Sequence, residues 1–209
     1  MTHRVETRSL YRYGTGKPCT NDYIRPVVLE ICRRCGARRI LDIGCGNGTL
    51  CRNLADAGFA VVGLEPSASG IACARALVPE GVFYEKGVYD DPADIPESEF
   101  DVAVSTEVVE HLYLPASLPR FAHAKLAKGG RLVLSTPYHG YLKNLAIAVT
   151  NRWDVHHSPW YDGGHIKFWS RDSLTKMTES NGFRVVAFHG VGRLPWLWNS
   201  MVLVARKED

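Results

Sequence analysis

The stretch LDIGCGNGTL (41–50) constrains the fold more tightly than any other part of this chain. It joins an apolar run, RRILDIG (38–44), to a stretch from Gly48 to Ala57 that reads as a helix stopped by Gly58. The run has the unbroken hydrophobicity of a strand buried on both faces. Gly44, Gly46 and Gly48 permit dihedrals that other residues avoid, and they leave bare backbone for a ligand to lie against. The start of the following helix adds N–H groups aimed at the same place.

The rest of the chain repeats this alternation. The spacing of Ile24, Val27, Val28 and Ile31 predicts a helix over 21–35. Further strands are expected at 59–65, 82–85, 100–105 and 131–137, and FRVVAFHG and SMVLVARK finish the chain as a hairpin-like pair. Helices are expected from Ser67, an N-cap, to Leu77, from Leu118 to Ala127, and from a Ser170 cap to Ser180. The sequence therefore predicts an α/β fold: a Rossmann-like, seven-stranded, mostly parallel sheet with helices on both faces and the last strand antiparallel. Such sheets bind ligands beyond the carboxyl ends of their strands. Residues 1–209 are expected to form one domain, with an N-terminal segment and helix (1–37) and an insertion after the fifth strand (138–169).

Composition excludes several partners. A net charge of +3 offers no basic stripe for nucleic acid, and no apolar run is long enough to cross a bilayer. The polar N-terminus lacks the apolar core of a signal peptide, so a cytoplasmic location is expected. Six cysteines lie at 19, 32, 35, 45, 51 and 73. Cys32 and Cys35 have the spacing of a metal or redox pair, but no second pair follows, and free thiols are the expectation.

Two ligand classes use a glycine loop of this kind. Dinucleotide sites prefer a glycine or alanine where this chain has Thr49, which argues against a nicotinamide-dependent oxidoreductase. Glu65, at the end of the second strand, can accept hydrogen bonds from both hydroxyls of a ribose and so supports a nucleoside cofactor of either class. The actual spacing, Asp42-x-Gly44-x-Gly46-x-Gly48, resembles motif I of the class I S-adenosylmethionine-dependent methyltransferases. That resemblance implies S-adenosylmethionine as cofactor, with Asp42 near its cationic amino-acid end. Cys45, between the glycines, and Pro66, after Glu65, belong to the implied contact set. The loop after the third strand would meet the adenine, with Tyr89 stacking on the base and Val88 offering its amide; the rival for Tyr89 is an ordinary surface aromatic. Tyr13, in a segment that folds over the cofactor in relatives, completes the set.

VSTEVVEHL (104–112) resembles the segment after strand four in ubiquinone-biosynthesis O-methyltransferases, where the pattern is E-x-x-E-H. The matching residues are Glu107, Glu110 and His111, and Thr106 and Glu107 would border the cofactor. The Asp/Asn-Pro-Pro-aromatic motif of many nucleic-acid and protein amino-methylases is missing here. The implied reaction is methyl transfer to a small molecule, at a hydroxyl oxygen, with N- or C-methylation or a silent cofactor-binding module as alternatives. A hydroxyl must lose its proton, and a positioned histidine suits that task near neutral pH. His111 is one candidate. His165, in DGGHIKFWS, matches a histidine that relatives carry before the following helix, and is the other. Alternatively, Glu107, Glu110 and His111 hold a divalent metal that acidifies the acceptor.

The insertion carries Tyr138, Tyr141, Trp153, Trp160, Tyr161, Phe168 and Trp169. Aromatic faces with a few polar groups are what a small-molecule pocket needs, and long connections are often lids. A substrate cover is the expectation. Leu142, Leu145, Ile147 and Val149 within it suggest a short helix that docks on the sheet or on a membrane. The sequence leaves the acceptor and the oligomeric state open.

Overall fold

The computed structural model describes residues 13–16, 20–157 and 159–209. Most of the polar N-terminal segment, including Tyr11, and Cys19 lie outside them. Seven strands form one sheet: β1 (Arg39–Ile43), β2 (Ala60–Leu64), β3 (Val82–Tyr84), β4 (Phe100–Thr106), β5 (Leu126–Pro137), β6 (Phe183–Val191) and β7 (Ser200–Lys207). Their order is β3-β2-β1-β4-β5-β7-β6, with β7 antiparallel to both its neighbours. The helices are α1 (Asn21–Arg34), α2 (Thr49–Asp56), α3 (Ala68–Leu77), α4 (Ser117–Lys125), α5 (Tyr141–Val149), α6 (Trp153–His157) and α7 (Arg171–Glu179).

Alternate residues of each strand feed two cores, one on each face. Ile40, Val61, Val102 and Val133 pack with Ile24, Val28, Leu54 and Ile71 from α1, α2 and α3. Leu41, Val62, Ala103 and Leu132 pack on the opposite face with Leu118 and Phe121 of α4 and Leu174 of α7. A sheet covered on both sides is why its strands read as near-continuous apolar runs.

Local chemistry sets the helix ends. The Ser67 hydroxyl accepts from the Gly70 amide at the start of α3. Ser170 and Ser173 form a reciprocal capping box on α7, satisfying two amides that the helix leaves without partners. Gly48 precedes α2 with φ of +82°, and a Cβ there would lie 2.7 Å from the Ala74 backbone. This third glycine lets α2 and α3 approach each other; among the described residues it is not part of the cavity wall.

The structure differs from expectation at one boundary. α4 stops at Lys125, and Lys128-Gly129-Gly130 belongs to an irregular start of β5 rather than to a helix end. The register slips between Phe100↔Leu126 and Val102↔Arg131, and Gly129 takes up the slack at φ of +71°. A Cβ on Gly130 would lie 2.9 Å from the Ala127 carbonyl, so the fold needs a glycine there. Leu126 goes into the core instead of ending a helix. In the insertion, α5 forms over the predicted residues but buries only Lys143 and Ile147, and α6 is an addition. Among the described residues, no helix is long and apolar enough to cross a membrane.

The chain order reverses between β1 and β4, and the crevice at that switch point is where an open α/β sheet receives ligand.

Candidate active site

A cavity of about 660 Å³ opens at this switch point. The carboxyl ends of β1, β2 and β4 supply Asp42 with the glycine loop, Glu65, and Thr106 with Glu107. The insertion closes the far wall with Tyr161 and Gly163 to Ile166.

Gly44 and Gly46 have φ of +80° and +55°. The loop they allow turns the Gly46 amide onto Glu65 Oε2 at 3.1 Å, while the Ser67 amide donates to Oε1 at 2.8 Å. The Tyr13 hydroxyl donates to the same carboxylate. Glu65 is 3% exposed, and burial raises its pKa against these three donors. The Tyr13 ring lies against Gly46 and Gly70, so the N-terminal residues 13–16 cross the loop. Asn47 holds them there by donating to the carbonyls of Gly14 at 2.9 Å and Gly16 at 2.8 Å.

Asp42 is 1% exposed. Its Oδ2 accepts the Cys51 thiol at 3.1 Å, and its Oδ1 has no hydrogen-bond partner. Burial pushes its pKa up to about 7, with the Cys51 thiol opposing and Glu65 adding to the rise.

The E-x-x-E-H residues divide. Glu107, at φ of +56°, accepts from Ser135 Oγ at 2.8 Å and Ser200 Oγ at 3.2 Å. Burial raises its pKa to about 7 against those donors. Glu110 and His111 lie on a 3-10 turn, Val109–His111. Glu110 Oε2 accepts from Thr136 Oγ1 at 3.0 Å, while Oε1 has no hydrogen-bond partner. That Oε1 lies 4.0 Å from His111 Nε2 and 3.9 Å from His165 Nε2. Burial, then the Glu107 charge, holds the Glu110 pKa well above the usual carboxylate range.

The same turn fastens the insertion. The Glu110 carbonyl accepts the amides of Ile166 and Lys167, both at 3.0 Å. His111 Nδ1 lies 3.0 Å from the Gly163 carbonyl and 3.2 Å from that of Gly164. A carbonyl only accepts, so Nδ1 carries the proton and Nε2 is the basic nitrogen. Burial lowers the His111 pKa, and these two carbonyls counter it. His165 falls to about 4 through burial, then through His111 and His157. Both imidazoles are thus neutral at pH 7.

Among the described residues, the group of three or more side chains able to share a metal ion is Glu110, His111 and His165, with donor atoms within 4.8 Å of one another. His165 stands where the sequence pattern had placed Glu107. Cys32 and Cys35 are free thiols outside this group. Burial pushes the Cys32 thiol up to about 12, which makes it a poor ligand and a poor nucleophile.

Pro66, Tyr89, Thr106 and Cys45 line the cavity, whereas Val88 is in the core beneath it. The Tyr89 hydroxyl accepts the Leu114 amide at 3.1 Å, tying the loop after β3 to the segment after β4. Asn21, Tyr113 and the glycines at 163 and 164 also form cavity wall, and sequence reasoning missed them. Asn21 has no motif around it, whereas Tyr113 directly follows 104–112 and the two glycines directly precede His165, so their neighbours were the available signal.

Comparisons with known proteins agree with this geometry. A family model described as a methyltransferase domain matches residues 22–187. A ubiquinone biosynthesis O-methyltransferase of a Bradyrhizobium species is 35% identical over 165 residues, covering 76% of this chain and 63% of that protein. The chain thus spans less than two thirds of that relative's length. Its counterpart from Nitrobacter winogradskyi is 31% identical over 206 residues, covering 87% of this chain and 76% of the other. In fold, the magnesium protoporphyrin IX methyltransferase of Synechocystis PCC 6803, solved with bound S-adenosylhomocysteine, superposes with a TM-score of 0.66 at 18% identity, over 88% of this chain and 82% of that one. With motif I at the head of the sheet and the family match spanning most of its length, the chain belongs to the class I S-adenosylmethionine-dependent methyltransferases.

Proposed function

We propose that this protein transfers a methyl group from S-adenosylmethionine to a hydroxyl oxygen of a small molecule. The observation that carries the reading is one cavity bordered by the Asp42–Glu65 cradle and by two neutral imidazoles. The cofactor supplies an electrophilic methyl on its sulfonium. Glu65 receives the ribose hydroxyls, Asp42 faces the ammonium, Tyr89 and Pro66 border the adenine, and Thr106 and Glu107 form the wall beside the methyl. Alignment of nucleophile and methyl is worth about 7–11 kcal/mol. His111 Nε2 takes the hydroxyl proton. It is preferred to His165 because carbonyls at Nδ1 stabilise its protonated form, whereas burial, His111 and His157 oppose protonation of His165. His165 orients the hydroxyl. The insertion covers the acceptor, and its exposed Trp160 and Tyr161 suit an aromatic or lipid-like one. The five free cysteines of the described chain suit a reducing cytoplasm.

A second reading has its own observation. Glu110 Oε1 has no hydrogen-bond partner and lies within 4.0 Å of two imidazole nitrogens, a donor set that fits a divalent cation. A metal held by Glu110, His111 and His165 would lower the pKa of an acceptor hydroxyl. Loss of turnover on chelation, restored by Mg²⁺ or Zn²⁺, supports it; turnover indifferent to chelation removes it.

The test of the main reading is methyl-labelled S-adenosylmethionine incubated with a panel of phenols and catechols, with the products read by NMR. A labelled O-methyl signal is expected. Label on nitrogen or carbon corrects the acceptor atom. Cofactor that binds without giving up its label on any acceptor of a broad panel overturns the reading in favour of a silent module.

A further inference from the structure

Among the described residues, three histidines border the cavity, and the reaction above uses His111 and His165. The third, His157, ends α6 in the insertion and is 8% exposed. Its Nδ1 lies 2.9 Å from the Trp153 carbonyl, one helical turn earlier. A carbonyl only accepts, so Nδ1 carries the proton and Nε2 of the neutral ring keeps a lone pair. No described residue donates a hydrogen bond to that Nε2. The ring is held from several sides. Trp153 stacks on it with centroids 4.0 Å apart and planes at 25°. Phe168 meets it edge-on at 4.8 Å, and His139 lies at 5.4 Å. An acceptor atom fixed in a cavity wall loses little freedom when a donor reaches it. It also penalises a ligand that covers it and brings no donor.

We propose that His157 recognises the methyl acceptor: its Nε2 accepts a hydrogen bond from a second O–H or N–H of that molecule, apart from the hydroxyl that is methylated. It thereby selects acceptors with two polar hydrogens over those with one. His157 is then a specificity residue, and no covalent step involves it. The inference rests on the proposed transfer to a hydroxyl beside His111.

Initial rates of methyl transfer to phenol and to the three dihydroxybenzenes test it, in wild type, His157→Phe and His157→Gln. Phenylalanine keeps an aromatic ring against Trp153 and removes the acceptor atom. Glutamine gives up the ring but can place an amide oxygen where Nε2 stands. Wild type is expected to have a lower KM for at least one dihydroxybenzene than for phenol, and the favoured isomer reads the spacing between the two groups. His157→Phe should shrink that KM ratio by about 2–12-fold, the range of one neutral hydrogen bond, and His157→Gln should restore part of it. Equal S-adenosylhomocysteine affinity in all three proteins shows that the variants are folded. A ratio that survives in His157→Phe, a wild type that prefers no dihydroxybenzene, or equal loss in both variants would overturn the inference and leave His157 a packing residue. Wild type that methylates none of the four compounds would instead count against the proposed function itself.

Discussion

At the scale of single residues, the site depends on buried groups held in uncommon protonation states. Asp42 has a folded pKa of about 7 against an ordinary 3.8, so folding favours its neutral form. That contribution to stability is fully present below 3.8 and is lost as pH rises through about 7. Asp42→Asn should therefore gain in Tm relative to wild type as pH rises across that window, which thermal melts at a series of pH values will read. Cofactor affinity runs the other way. The ammonium needs the carboxylate, so S-adenosylmethionine should bind more weakly as pH falls below about 7, with the slope abolished in Asp42→Asn. A difference curve that stays flat in both measurements would show that Asp42 is ionised throughout. At the proton-transfer end, His111→Ala should lower kcat by about 10²–10⁴, the worth of a positioned base. Its affinity for S-adenosylhomocysteine should stay unchanged. A variant with full turnover assigns the base to another group.

Elements explain why much of this was legible and some was not. Strands buried on both faces announce themselves as apolar runs, and Ser67 and Ser170 announce helix starts through capping, as found. Ser170→Ala should cost about 1 kcal/mol, seen as a shifted denaturation midpoint. Gly48 was read as a ligand-facing glycine, but its place is the contact between α2 and α3. Gly48→Ala should destabilise by about 1–3 kcal/mol through overpacking, beyond the strain of its positive φ. A midpoint equal to wild type would mean that the helices part freely. The β5 boundary was misread because Lys-Gly-Gly is a fair helix-stop signal, and nothing local reveals that Leu126 pairs opposite Phe100. The E-x-x-E-H motif was legible as a motif but not as a geometry. Glu107 turns to Ser135 and Ser200, which arrive from β5 and β7, and His165 takes its place because the Glu110 carbonyl anchors the insertion.

On the scale of the whole molecule, the carboxyl ends of the strands supply one side of the cavity, assigned above to the cofactor, and the insertion supplies the other. This division predicts separable effects. Tyr161→Ala, and Trp160→Ala beside it, should raise KM for the acceptor and leave the affinity for S-adenosylhomocysteine within about twofold, since a surface change away from the cradle is worth about ±0.5 kcal/mol. Loss of cofactor affinity in either variant would mean that the cover closes on the cofactor instead. The acceptor stayed hidden in the sequence because pocket shape arises from segments far apart in the chain: Tyr113 after β4, Gly163 and Gly164 in the insertion, and Asn21 at the start of α1. Motif I was legible because its residues sit together in one loop, 41–50.

The most direct test of the cofactor site is a calorimetric titration of S-adenosylmethionine, S-adenosylhomocysteine and NAD into wild type and Glu65→Ala. Both adenosyl compounds should bind wild type and NAD should be silent. Glu65→Ala should lose affinity by about a hundredfold or more, the worth of two hydrogen bonds to a carboxylate. Undiminished binding in the variant, or binding of NAD in place of the adenosyl compounds, would contradict the account.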